Sequence, residues 1–203
     1  MPAPLDLVYP FAGRWLVQNS PANRVPSHGT TLFASSYAID FVPVTEHGQS
    51  APLAVGSFFR PEPADRFSGF GRTVVAPVGG VILAAHDGEP DHPAYRGIPS
   101  LVYAATQRKR VSAGWRAIAG NHVMIGTGAA VVALCHLRRG SVRVRPSQAV
   151  RVGEVIGRCG NSGNSTEPHL HLQVSDDIDI GRAGPVPITF HGSVPGNGEI
   201  VIA

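Results

Sequence analysis

Apolar residues in this chain come in short runs, and glycine, proline, serine or asparagine separates one run from the next. Such runs lie at 15–18, 37–42, 72–76, 80–85, 122–126, 130–137, 155–158, 169–174, 186–190 and 199–202, with a brief turn-bounded segment at 148–153. Short runs this frequent, with few helical periods among them, predict a mainly β fold with antiparallel pairing. Within 37–42 the two-residue period puts Asp40 on the face opposite Ile39 and Phe41. Residues 122–126 and 130–137 read as a hairpin across Thr127-Gly128-Ala129, and a Pro-Val-Gly-Gly turn separates 72–76 from 80–85.

Two stretches break the rhythm. Residues 45–70 are rich in proline, glycine and serine and read as a long surface loop. Residues 87–120 open with Glu89-Pro90-Asp91-His92-Pro93 and then place Leu101, Ala105, Arg108, Val111, Trp115 and Ile118 at spacings of three and four, which permit one amphipathic helix. Long insertions in a compact β domain are functional rims or plain loops. No internal repeat is evident.

Composition narrows the class. At 203 residues, 43% hydrophobic and 15% charged, the chain is expected to form one globular domain over 1–203. Its net charge of +3 is spread over many arginines, and the local cluster Arg108-Lys109-Arg110 lacks interleaved aromatics. That pattern fits a solvated face and not a nucleic-acid footprint. Cys135 and Cys159 have no zinc-ribbon spacing and read as two buried free thiols; a bridge between them stays open. Cys135, next to His136 in an apolar run, is expected to point the other way, into the core. No stretch of about 20 apolar residues is long enough to span a membrane. No basic region followed by an apolar one precedes Trp15, so no signal peptide is visible.

The chemistry concentrates in Gly160-Asn161-Ser162-Gly163-Asn164-Ser165-Thr166-Glu167-Pro168-His169-Leu170-His171-Leu172-Gln173-Val174. On a strand, His169 and His171 share one face while Leu170 and Leu172 face a core. Two rises separate the imidazoles by about 6–7 Å, so one can hold a metal while the other stands beside the water at that metal. His28 in a loop, Asp40 inside an apolar strand, where burial demands a partner, and His136 at the end of another strand complete the candidate set. Two histidines and a carboxylate with an open position suit catalytic zinc. Each also has a bland reading: a surface loop histidine, a carboxylate capping a turn, a satisfied core histidine. His47, His86, His92, His122 and His191 show no partner pattern and read as structural.

Several segments together resemble the lysostaphin-type (LytM-type) zinc endopeptidases. They are Tyr37-Ala38-Ile39-Asp40-Phe41, Ala76-Pro77-Val78-Gly79-Gly80-Val81, Gly120-Asn121-His122-Val123, Cys135-His136-Leu137, Gly140-Ser141-Val142, and the stretch from Gly157 through His171. The likeness runs over about 28–175, with gaps at the two insertions. It implies a barrel-like antiparallel sheet of the duplicated hybrid motif type and one zinc ion held by His28, Asp40 and His171. It further implies that His136 and His169 flank the water at the metal, and that the substrate is a peptide of bacterial peptidoglycan, met as a monomer at the cell envelope or outside the cell. The family's commoner pattern puts three residues between its first histidine and the aspartate, whereas eleven separate His28 from Asp40 here. An excursion over 29–36 can reconcile the two, and His47 is the alternative ligand. No His-Glu-x-x-His helix is present, so a thermolysin-type base is not expected. Three other readings compete: a non-catalytic module of the same family, a peptidase acting outside the wall, and a sugar phosphotransfer carrier using two histidines without metal. Asp40 and the His-Leu-His pair argue against the last.

Overall fold

The computed structural model describes residues 3–52 and 55–203, so Leu53 and Ala54 of the 45–70 insertion, and Met1 and Pro2 of the stretch before Trp15, lie outside the described residues. The strands are β1 (Leu5–Leu7), β2 (Arg14–Gln18), β3 (Ile39–Pro43), β4 (Thr73–Val75), β5 (Gly80–His86), β6 (Asn121–Gly126), β7 (Val131–Leu137), β8 (Ala149–Val150), β9 (Val155–Arg158), β10 (Leu170–Ser175), β11 (Ile188–Phe190) and β12 (Ile200–Ile202). Eight of them form one antiparallel sheet in the order β12-β2-β3-β10-β7-β6-β5-β8, with β4 and β9 paired beside it. The pairing of β1 with β11 is parallel, a departure from the antiparallel expectation, and it ties the start of the chain to residues near its end.

The main core lies on the face that receives Trp15, Phe41, Ile39, Leu134, Leu170, Leu172 and Phe190, all at most 1% exposed. In β10, Leu170 pairs with Phe41 and Leu172 with Ile39 and Leu134, so the two leucines enter this core as the two-residue period requires. The same register places His171 opposite Asp40 on β3 and opposite Cys135 on β7. The middle of the sheet therefore brings a histidine and a carboxylate side by side on the face away from the main core.

The region expected to hold one amphipathic helix folds as three short ones, α1 (Ile98–Ala105), α2 (Gln107–Ser112) and α3 (Trp115–Ala119). Gly114, at φ +90°, separates α2 from α3, and Thr106 separates α1 from α2. No residue of α1 or α2 is buried, and Leu101 is 71% exposed, so the three-and-four spacing faces a groove and solvent instead of the core. The two insertions pack on each other. Glu62 and Ala94 form a β-bridge, Ala51, Phe67 and Ala94 form a small apolar cluster, and Arg96 donates Nε–H to Glu62 Oε2 at 2.7 Å and Nη2–H to Oε1 at 2.9 Å. Cys135 and Cys159 are free and buried. Among the described residues no helix is long and apolar enough to cross a membrane.

Candidate metal centre

Asp40 stands at the centre of the sheet with 5% exposure, and its two oxygens are divided between two histidines. His171 Nδ1 lies 2.8 Å from Oδ1, and His28 Nε2 lies 3.0 Å from Oδ2. One donor atom from each of the three residues falls within 4.8 Å of the other two. Tetrahedral zinc with ligands at 2.0–2.2 Å places neighbouring ligand atoms about 3.3 Å apart, so this nitrogen–nitrogen–oxygen set fits the ion with little rearrangement.

The reach of His28 to Asp40 depends on how residues 29–36 fold. Ser27 N–H donates to Ser36 O at 3.0 Å and its hydroxyl donates to Ser35 O at 3.2 Å, so the excursion closes on its own base. Inside it the chain turns through Gly29 at φ +70° and through Phe33 and Ala34 at φ +57° and +58°. Two consecutive non-glycine residues in the left-handed region are strained, a state that persists only where surroundings hold it. Here the holding contact is Gln173, whose Nε2–H donates to Phe33 O at 2.8 Å. His47, the alternative ligand, is exposed in the turn after β3 and is not part of the donor set.

The other two histidines stand alongside. His136 and His169 have ring centroids 4.7 Å apart, and His136 and His171 5.7 Å apart. His136 Nδ1 is 2.9 Å from Ser162 O and His169 Nδ1 is 2.8 Å from Glu167 O. A backbone carbonyl only accepts, so each ring carries its proton on Nδ1 and keeps Nε2 free as an acceptor. His169 Nε2 lies 3.7 Å from Asp40 Oδ1. His136 sits at φ +62°, which breaks the alternation of β7. Cys135 is buried in an apolar cluster with Ala133 and Met124 as expected, but it is not separated from His136, since both residues line the same cavity.

Electrostatics follow from burial and these contacts. Burial disfavours a charged Asp40, yet the neighbouring His28 and His169 and the bonds from His171 and His28 outweigh it and hold the carboxyl well below its ordinary range. Burial pulls His28 down, but the charge of Asp40 and the bond to it raise His28 above 6.5. Burial, reinforced by His169 and His171, keeps His136 neutral.

Two further residues support the centre. Asn19 Nδ2–H donates to Asp40 Oδ2 at 2.7 Å, and no sequence pattern marks it. Gln173 Oε1 lies 3.0 Å from His171 Nε2 and accepts its proton, while Nδ1 is the ring atom turned to Asp40. Gln173 was legible in principle, since it shares a strand face with His171 at a spacing of two. His86 and His122 pair across β5 and β6 with ring centroids 5.6 Å apart, and they are not part of the donor set. His92 Nε2 lies 3.0 Å from Gly163 O, a contact that braces the loop before β10.

Residues 90–180 match the model of Peptidase family M23. This stretch holds His136, His169 and His171, while His28 and Asp40 lie before it. Among solved structures, the catalytic domain of the antimicrobial peptidase lysostaphin from Staphylococcus simulans is 18% identical at a TM-score of 0.39, over 77% of this chain and 80% of that one. The SpoIIQ–SpoIIIAH pore forming complex is 15% identical at 0.39, over 72% of this chain and 60% of that one. A zinc containing peptidase from Vibrio cholerae is 16% identical at 0.36, over 68% of this chain and 43% of that one. The chain thus spans less than two thirds of the last two. Residues 90–180, which carry the His-Leu-His strand and the strand that delivers His136 to it, are the part of this chain that is similar to peptidase family M23.

Proposed function

We propose that this protein is a zinc-dependent endopeptidase that hydrolyses peptide bonds of bacterial cell-wall peptidoglycan. The observation that carries the reading is the meeting of His28, Asp40 and His171 within 4.8 Å, with the imidazoles of His136 and His169 beside them. In this reading His28, Asp40 and His171 hold zinc, which supplies acidification of water and polarisation of a carbonyl. His136, kept neutral by burial, offers Nε2 to the proton of the attacking water. His169, fixed by Glu167 O through Nδ1, presents Nε2 to the same space, so the pair can stabilise developing charge and return a proton to the leaving amine. Glu167 is not assigned the base role, because its Oε2 already accepts from Ser50 Oγ at 2.6 Å. Residues 1–203 are read as one peptidase domain acting as a monomer at the cell envelope or outside the cell. The non-catalytic module is the weaker reading, because a full donor set with its flanking histidines is present.

Elemental analysis of purified protein, with turbidity of purified cell walls followed with and without chelator, tests the proposal. About one zinc per chain and clearing that chelator stops are expected. Zinc without clearing of walls or cleavage of any peptide would overturn the peptidase reading, and failure to take up zinc on reconstitution would overturn the metal assignment.

A further inference from the structure

The cavity over the donor set, about 150 Å³ in volume, has two unlike sides. One is built from the five residues of the centre. The other is mainly apolar, made of Leu32, Phe33, Val111, Trp115, Ile118 and Ala119, and the neutral polar residues Thr30, Ser35, Gln107, Asn164 and Gln173 also line the cavity. Among the described residues that line it, Asp40 is the single carboxylate, and no lysine or arginine takes part. We propose that this apolar side is a side-chain pocket, and that the enzyme selects peptides carrying an uncharged apolar side chain of alanine to leucine size next to the scissile bond. The location of that bond rests on the peptidase reading above.

Three observations support the assignment. First, the cavity of about 150 Å³ is shared between the two sides, and its apolar residues lie beside the centre, where a small or medium side chain next to a peptide bond would fall. An acidic or basic side chain entering here would lose its hydration with no opposite charge to meet it on the apolar side. Second, the wall is fixed to the catalytic strand. The residues that lengthen the spacing between His28 and Asp40 are those that deliver Leu32 and Phe33, and Gln173 of β10 holds the strained Phe33 carbonyl in place. Third, Trp115 faces Phe33 across the wall with ring centroids 6.2 Å apart, and its buried indole N–H has no hydrogen-bond partner among the described residues. The depression continues past Leu32, Gln107 and Val111 toward Ala104, which leaves a path for the rest of the peptide.

Binding and cleavage are measured separately. Metal-free and zinc-loaded protein is titrated with the tripeptides Gly-X-Gly, X being Gly, Ala, Leu or Asp, and followed by tryptophan fluorescence. Trp115 is the reporter, since the other tryptophan, Trp15, is fully buried in the main core. Quenched fluorescent peptides with the same X beside the cleaved bond give kcat/KM. The Ala and Leu peptides are expected to bind and react roughly tenfold or more better than Gly and Asp. Val111→Phe, a change on a half-exposed helix position, should move the preference from Leu toward Ala by roughly tenfold, and Trp115→Ala, checked for folding by circular dichroism, should flatten the series. Cleavage without grading by X overturns the pocket and leaves the peptidase reading standing. Graded binding without cleavage overturns the peptidase reading and supports the pocket. Binding of no peptide, or a preference for Asp, overturns the pocket.

Discussion

In the proposed reading, the five side chains of the centre divide into holders and proton carriers. His171→Ala and Asp40→Ala should lose zinc and activity together, whereas His169→Ala should keep the metal and lose roughly 10²–10⁴-fold in turnover, as metal analysis beside peptide cleavage will read. Full zinc in the His171→Ala protein would sink the ligand assignment. Gln173 acts through His171. Its carbonyl oxygen takes the Nε2 proton, and its amide nitrogen holds Phe33 O. Gln173→Leu should weaken zinc binding roughly 10–100-fold in a competition titration with a chelating dye. Gln173→Glu keeps the accepting oxygen and should restore most of that affinity; equal loss in both variants would show that the ring proton is not what matters.

At the scale of elements, the loop before β10 is seated by a backbone contact that only glycine permits. A Cβ at Gly120, which stands at φ +62°, would lie 2.6 Å from Gly163 N and from Ser162 C. The Ser162 carbonyl is the group that fixes the His136 tautomer. Gly120→Ala should therefore cost about 1–3 kcal/mol in denaturant unfolding and also depress turnover. Gly128 has φ +87° and open space around it, so Gly128→Ala should show conformational strain alone with turnover retained. A Gly120→Ala enzyme of unchanged rate would separate the loop from the chemistry. The three short helices carry their apolar stripe toward the groove, which explains why a pattern that reads as core-facing belongs to a wall.

Over the whole molecule the two insertions behave as one rim because Glu62 and Arg96 join them. The bond from Arg96 lowers the Glu62 pKa below 4.5, with burial opposing it and Ser57 and Arg66 assisting. A depressed carboxyl pKa contributes stability that is complete above its unfolded value and is lost as pH falls through the folded one. Arg96→Ala should thus destabilise by about 1.5–3 kcal/mol near neutral pH, with the gap to the unmodified protein closing as pH falls through the lowered pKa of Glu62. Thermal melts across pH will check this, and a gap independent of pH would place the effect elsewhere. Zinc at 100 times its Kd adds about 2.7 kcal/mol to a protein that binds it folded. For a chain of this size a chelator should then lower Tm by roughly 5–10 °C.

Strand positions and the burial of both cysteines were legible in the sequence, because a two-residue period and turn chemistry are local properties that the chain displays directly, whereas His171 beside Asp40 was expected only through the family resemblance. The parallel pairing of β1 with β11 was not, since it joins residues about 180 positions apart through no local signal. Nor was the turn of His136 to the same side as Cys135, because a left-handed φ at a non-glycine residue overrides the alternation that sequence reading relies on. Asn19 reaches Asp40 only because β2 lies beside β3 in the sheet. The sequence alone determined which residue types were available for metal and proton chemistry. Tertiary structure decided which of nine histidines meet, because distance between side chains is a property of how strands register and not of how the chain is spelled.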